Sequence, residues 1–301
     1  MLWKMSGVLP RSFIENYYTT YIRLLLEYGD ICYDSCTQYL SNRLENVQRK
    51  AALTCTRAYR RTSHAKLLQE LGWCTLKTRR EVHKMTMMYK IMNIIVPPYL
   101  CQLCPHTNVV ANQRYQLRNN ADLAQPRIRL AIYRKSFIPS TISLWNNLDL
   151  HVRNSLSLNS FKYQLKKTFY RKKNPLYSMW TGLPAIHQAR MRMGLSALND
   201  QRSSYHLIPD GRCSLCDSNE REDSIHYLIR CPHHSAHRGK MLRHLGQLLQ
   251  PADIIINVGN RASETIISNI MLNGCPVISF DNNVELFRVV HQFISDTGRF
   301  R

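Results

Sequence analysis

Apolar side chains recur at three- and four-residue intervals along most of this chain, the period of a helix with one buried face. Ile14, Tyr17, Tyr18, Tyr21, Ile22 and Leu25 form the first such row. Ser12 and Glu15 just ahead of it match a capping box, in which hydroxyl and carboxylate each satisfy a backbone N–H of the first turn. The row predicts a helix that ends near Gly29. A second row, Leu40, Leu44, Val47, Ala51 and Cys55, keeps Arg43, Arg49 and Lys50 off its apolar stripe. Ser63 can cap a short helix through Leu67, Leu68 and Leu71. Val82, Met85, Tyr89 and Met92 mark another, which must stop before Pro97-Pro98. The first hundred residues therefore read as a small helical bundle.

The pattern changes between Cys101 and Lys135, which are polar and irregular apart from "RIRLAIYRKSF". There Ile128, Leu130 and Ile132 alternate with Arg127, Arg129 and Ala131, a period of two that predicts a short strand with arginines on one face. Helical spacing then returns. Pro139 suits the first turn of a helix carrying Leu144 and Trp145, and Leu158, Phe161, Leu165 and Phe169 share one face of the next. Asn174-Pro175 ends that element and marks a domain boundary. Further on, Ile186, Ala189 and Met193, then Leu242, Leu245 and Leu249, then Val284, Phe287, His291 and Ile294 give three more helical faces.

Composition changes this picture in two ways. With 301 residues, 44% of them hydrophobic, the chain can bury a real core. Its net charge of +21 points to a polyanionic partner, and the excess is uneven: +8 over residues 1–100, +4 over 101–150, +10 over 151–250 and −1 over 251–301. No apolar run approaches the roughly 18 residues a membrane span needs, and "MLWKMSGVLPRSF" lacks the apolar stretch of a signal peptide. The expected setting is intracellular, cytoplasm or nucleus, with no membrane and no small-molecule substrate. Ten cysteines in a chain of this size read as metal ligands and free thiols, because disulfide frameworks belong to small secreted domains.

The sharpest motif is "CSLCDSNEREDSIHYLIRC". Cys213-x2-Cys216 is the tight half of a zinc site, and His226 and Cys231 complete a Cys3His set. Ser224 or Asp223 can cap a short helix carrying His226, and Pro232 stops it. His233, His234 or His237 stands as an alternative fourth ligand. Four protein ligands leave no position open for water or substrate, so a zinc ion here is structural. Cys101-x2-Cys104 with His106 lacks a fourth donor nearby and reads as free thiols. "EYGDICYD" approaches the Tyr-x-Asp-Asp of a polymerase, but Ile31 follows Asp30, which leaves two-metal phosphoryl transfer without its second carboxylate. No phosphate-cradling glycine loop and no Gly-x-Ser-x-Gly elbow is present. The candidate nucleic-acid contacts are Arg57, Arg60 and Arg61, then Arg127 and Arg129, then Lys166, Lys167, Arg171, Lys172 and Lys173, then Arg190 and Arg192. Tyr59, Tyr133 and Tyr170 are interleaved with them as stacking surfaces.

The order of "YIRLLLEYGDICYDSC", "LENVQRKAA", "LGWCTLKTRREVHKMTMMYKIMN", "SFIPSTISLWNNL", "SLNSFKYQLKK" and the Cys/His segment ending "CP" resembles the region downstream of the catalytic core in jockey-like non-LTR retrotransposon reverse transcriptases. The resemblance covers nearly the whole chain, down to "VVHQFISDTGRF". It implies a mainly α fold: a thumb-like helical bundle over 1–100, a basic connection with a short strand and helices over 101–173, and a C-terminal helical region over 174–301. The last contains the zinc module at 213–231, onto which the family's Cys/His pattern maps at Cys213, Cys216, His226 and Cys231. The implied role is binding of RNA or DNA template and primer, with a reverse transcriptase catalytic domain as a further partner. Fingers, palm and endonuclease are missing from the resemblance, so polymerase or nuclease activity is not expected. The rival expectations are a repurposed protein-interaction module without nucleic-acid affinity, and an accessory chain whose palm is supplied by another.

Overall fold

The computed structural model describes residues 9–102, 107, 122–179, 182–254 and 256–300. Among them the secondary structure is helical, and β pairing is limited to two isolated bridges, Thr107 with Leu123 and Arg212 with Arg221. The chain divides into two compact units. One comprises the described parts of Met1–Glu15, Ala52–Leu71 and Asn174–Arg301; the other comprises Asn16–Ala51 and the described parts of Gly72–Lys173. The breaks between the units fall after Glu15, Ala51, Leu71 and Lys173.

The unit containing Gly72–Lys173 is organised by helix Leu76–Met92, whose N-cap Thr75 accepts from the Thr78 backbone N–H. Its buried face, Val82, Met85, Met88 and Tyr89, packs against Ile142 and Trp145 of helix Phe137–Asn146 and against Phe161 and Leu165 of helix Leu158–Phe169. The Tyr89 and Phe161 rings stack at 4.4 Å, and the Tyr89 hydroxyl donates to the Ser155 carbonyl at 2.6 Å. Each such fully buried side chain contributes about 1.5–3 kcal/mol. Two charges of the same helix, Arg80 and Lys84, are not solvated. Asp34 accepts from Arg80 Nε at 2.8 Å and from Lys84 Nζ at 2.5 Å, and both cations are buried. Burial alone would raise the Asp34 pKa, but hydrogen bonds from Lys84 and Arg80 override it and hold the carboxyl below its usual range.

Two local expectations fail here and at the first helix. Residues 124–129 form no strand, and Ala131–Lys135 is a short helix closed by the Arg134 N–H on the Leu130 carbonyl. An alternating run becomes a strand only where another strand takes its backbone hydrogen bonds, and none does among the described residues. Nor is Ser12 an N-cap. The helix starts at Arg11, and Pro10 supplies the carbonyl that receives the Phe13 and Ile14 N–H groups. Glu15 does not reach back to Ser12 but takes Arg11 Nε at 2.7 Å. The apolar row does run on through Tyr18–Ile22, a π-turn, and Arg23–Glu27, and Gly29 follows in the left-handed region at φ 64°.

The unit containing Asn174–Arg301 is built on helix Phe280–Asp296, capped by Ser279. Leu286, Phe287, Val290, Phe293 and Ile294 on its buried face meet Met241, Leu245 and Leu249 of helix Ser235–Leu249 and Ile267, Ile270 and Met271 of helix Arg261–Asn273. Helix Leu183–Arg192 packs on two of these three. Its buried Gln188 donates to the Met271 carbonyl at 2.7 Å and pairs with His291 Nε2 at 2.7 Å, so its amide ties three helices together.

Candidate metal centre

The segment Cys213–Cys231 is folded by its own polar residues before any metal is considered. The Cys213 N–H donates to the Glu220 carbonyl and the Glu222 N–H to the Gly211 carbonyl, both at 2.9 Å, which closes a tight turn. Asn219, in the left-handed conformation at φ 59°, lies inside that turn and is one of the few non-glycine residue types that tolerate it. Glu222 is buried, accepting from the Asn199 N–H at 2.9 Å and from the Arg299 guanidinium through both oxygens. Asp223 then accepts the His226 N–H at 2.7 Å and acts as the cap.

His226–Arg230 is a single π-turn, closed by the Cys231 N–H on the His226 carbonyl at 2.7 Å. In an α-helix, residues five apart point about 140° away from each other round the axis. The wider turn cuts that offset and lets His226 and Cys231 face one point while Tyr227, Leu228 and Ile229 are buried.

Ligand atoms of Cys213, Cys216, His226 and Cys231 all lie within 4.8 Å of one another. Cys213 Sγ is 3.9 Å from Cys231 Sγ, and Cys216 Sγ is 3.4 Å from His226 Nε2. Around one tetrahedral ion two thiolates stand about 3.8 Å apart, and a thiolate and an imidazole nitrogen about 3.5 Å. The four donors therefore fit a shared metal ion. Glu220 Oε2 accepts from His226 Nδ1 at 2.9 Å, which leaves the Nε2 lone pair toward Cys216 and supplies the carboxylate that metal-bound histidines commonly carry behind them. Arg238 donates to the Cys231 carbonyl.

Burial pushes the Cys213 thiol up to about 12 and raises Cys231 as well. Burial opposes ionisation of Cys216 too, but there hydrogen bonds from Ser218 and its neighbours prevail and bring the thiol down to about 7.

The histidines that follow are not ligands in this geometry. His234 is buried in the core, edge-on to Tyr227 at 5.4 Å and to Phe293 at 6.3 Å. Burial, and after it the His233 and Arg238 charges, push its pKa down to about 4. His226 is the fourth donor, and His233, His234 and His237 stand outside the cluster. Of the second Cys/His candidate, Cys101 is half-buried with its Sγ toward the Val96 and Pro97 carbonyls at 3.8 Å, while Cys104 and His106 lie outside the described residues. Two acids of "EYGDICYD" are engaged elsewhere: Asp30 hydrogen-bonds His83 Nδ1 at 2.5 Å, and Asp34 pairs with Arg80 and Lys84.

The basic candidates separate into two sets. Arg60, Arg61, Arg127, Arg129, Lys166, Lys167, Arg171, Lys172 and Lys173 are exposed. Arg57 is half-buried in the left-handed conformation, and its carbonyl accepts from Arg190 Nη2 at 2.7 Å. Arg190 itself lies over the Tyr59 ring at 4.4 Å. The Arg192 side chain is only 6% exposed. Its guanidinium grips Glu70 through two hydrogen bonds, at 2.7 and 3.0 Å, and donates to the Leu272 carbonyl at 2.9 Å. Glu70 also takes Arg11 at 3.0 Å, so the arginine expected to meet nucleic acid completes a buried charge cluster. Sequence reasoning missed Glu220 and Glu222, whose roles depend on partners that only folding supplies; the spacing of Glu220 six residues before His226 was the available signal.

Comparison with known proteins finds no family model, curated protein or solved structure that matches the chain. No helix among the described residues is long and apolar enough to cross a membrane.

Proposed function

We propose that this chain is the nucleic-acid-gripping part of a jockey-like non-LTR retrotransposon reverse transcriptase, a thumb and connection followed by a zinc module, and that it binds RNA or template and primer without polymerising. One observation carries the reading. No acidic residue occurs between Asp149 and Asp200, and within that interval Lys166, Lys167, Arg171, Lys172 and Lys173 are all exposed, on and just beyond a helix that buries Phe161 and Leu165. An exposed run of like charge with no acidic residue near it in sequence is suited to phosphates.

Zinc suits the metal cluster because three thiolates and an imidazole are its usual structural donors. Cys213, Cys216, Cys231 and His226 through Nε2 would hold it, and the ion would cross-link the turn to the π-turn. With four protein donors no coordination position would stay open, so the role of the ion would be structural. The working surface is the basic one, in the cytoplasm or nucleus, with a catalytic reverse transcriptase domain as a second partner.

Fluorescence anisotropy with labelled single-stranded RNA over a salt series tests the reading. Binding should weaken with a log–log slope of roughly −0.7 per phosphate contacted, and Lys166→Ala with Lys167→Ala should flatten that slope by about 1.4. Absent or salt-independent binding overturns it, and primer extension by this chain alone overturns the non-catalytic part. A second reading, a protein-interaction module without nucleic-acid affinity, draws on the exposed Tyr21, Leu24, Leu25 and Tyr28; flat RNA binding favours it.

A further inference from the structure

A slot of about 350 Å3 lies within the unit formed by Ala52–Leu71 and Asn174–Arg301. Its wall is almost wholly apolar, and Tyr59, Tyr205 and Leu195 are among its lining side chains. Arg60, Arg61 and Arg202 border it, all exposed, with almost none of their polar surface on its wall, and no carboxylate is among the lining residues. The volume is at the small end of ligand pockets.

The two features select one kind of occupant. An inorganic anion gains nothing from an apolar wall, and an apolar peptide side chain makes no use of the exposed Arg61 and Arg202 beside it. A nucleotide uses both, because its base offers a flat face to an aromatic ring and its phosphate offers charge to arginine.

The lining is held in place before any ligand arrives. The Arg190 guanidinium covers the Tyr59 ring at 4.4 Å while donating to the Arg57 carbonyl. Leu195 follows Gly194, which turns the chain at φ 67° as the Leu195 N–H returns to the Arg190 carbonyl at 2.8 Å. Ser196 Oγ then donates to Gln201 Oε1 at 2.9 Å, tying this turn to helix Asn199–Ser204. That helix carries Arg202, and Tyr205 is its C-cap; it is closed by the Leu207 N–H on the Arg202 carbonyl at 2.9 Å. A site ordered in advance loses less entropy on binding.

We propose that this slot binds one nucleotide of a single strand, the base stacking on Tyr59 or Tyr205 and the adjoining phosphate meeting Arg61 and Arg202. The proposal rests on the nucleic-acid reading above and assigns where a base is held. Arg202 and Tyr205 are absent from the basic runs by which that reading was reached.

Two probes on the full chain separate the slot from the wider reading: AMP observed by saturation-transfer NMR, and short single-stranded RNA by anisotropy. Each is applied to wild type, Arg202→Ala, Tyr205→Leu, Tyr205→Phe and, outside the slot, Lys172→Ala. The expected result is AMP binding that disappears in Arg202→Ala and Tyr205→Leu and survives in Tyr205→Phe. RNA affinity falls about tenfold in the first two variants, whereas Lys172→Ala weakens RNA and leaves AMP untouched. RNA losses of that pattern with AMP silent still uphold a strand-borne base. If AMP is silent or indifferent to the variants, and the slot variants bind RNA like wild type, the slot is refuted while the nucleic-acid reading stands. AMP held in the slot with no RNA binding at any salt refutes the reading and keeps the slot; silence from both probes refutes both. Should Tyr205→Leu lower the melting temperature, exposed Arg61→Ala takes its place with the same expectations as Arg202→Ala.

Discussion

Glu70→Gln removes one charge where two buried guanidiniums converge. Arg192 lies 2.7 Å and Arg11 3.0 Å from Glu70 Oε1, and the side chains are 6%, 11% and 3% exposed for Arg192, Arg11 and Glu70. Breaking a buried pair from one side costs about 3–5 kcal/mol, because the remaining charge loses its counter-ion without regaining water. Here the loss is softened. Arg11 keeps Glu15 at 2.7 Å, and Arg192 keeps the Leu272 carbonyl and lies 3.9 Å from the Tyr177 ring centroid. A cost near the lower end, about 3 kcal/mol, is expected. For a domain of 150–250 residues each kcal/mol moves the melting point by about 2–4 °C, so the drop is about 6–12 °C. Thermal denaturation followed by circular dichroism measures it, with RNA anisotropy on the same samples. Arg192→Ala should also melt early while matching wild type in RNA affinity at a temperature where both are folded. A Glu70→Gln shift below about 2 °C, or an Arg192→Ala variant that melts normally but binds RNA as poorly as Lys172→Ala, would refute the assignment of Arg192 to a structural cluster.

Three further outcomes are expected. Purified protein should carry about one zinc ion per chain, with an affinity that rises with pH as thiol protons are released; metal well below that level, or a Cys213→Ser variant that melts like wild type, contradicts the site. Burial, reinforced by nearby Arg190 and Arg192 respectively, pushes His187 and His291 down to about 4. Because these folded values lie below the unfolded 6.5, the unfolded state binds more protons between pH 6.5 and 4, and stability should fall as pH drops through that window, by up to ~1.4 kcal/mol per pH unit for each. Urea midpoints that stay level from pH 7 to pH 4 contradict this. Ile94 is 78% exposed and held at φ 57° just past helix Leu76–Met92. There a β-branched residue costs about 1–2 kcal/mol, so Ile94→Gly should raise stability by about 0.5–1 kcal/mol net of glycine's own entropy; a lower denaturation midpoint argues against the strain.

Several helices were legible from a local apolar repeat. The Val82, Met85 and Tyr89 face of Leu76–Met92 and the Phe161 and Leu165 face of Leu158–Phe169 follow from burial patterns within a few residues. The strand expected over 127–132 failed for the converse reason, since a strand needs a distant partner and the alternation of six residues does not provide one. Arg261–Asn273 went unseen although Asn260 caps both the Ala262 and Ser263 N–H groups.

At the candidate site the same division holds. Sequence alone determined the Cys3His set, because a chelate whose donors fall within nineteen residues is a property of the local chain. It determined the charge as well, since formal charge is independent of fold. Only the tertiary structure decided that His226 rather than His234 faces the thiols, because the core formed by Tyr227 and Phe293 takes the His234 ring. It alone moved Arg192 from the surface to Glu70, 122 residues away, and brought Tyr59 to the same slot as Arg202 and Tyr205. A side chain's chemistry is written at its own position, but its burial and its partner are set by residues that only the folded chain brings near.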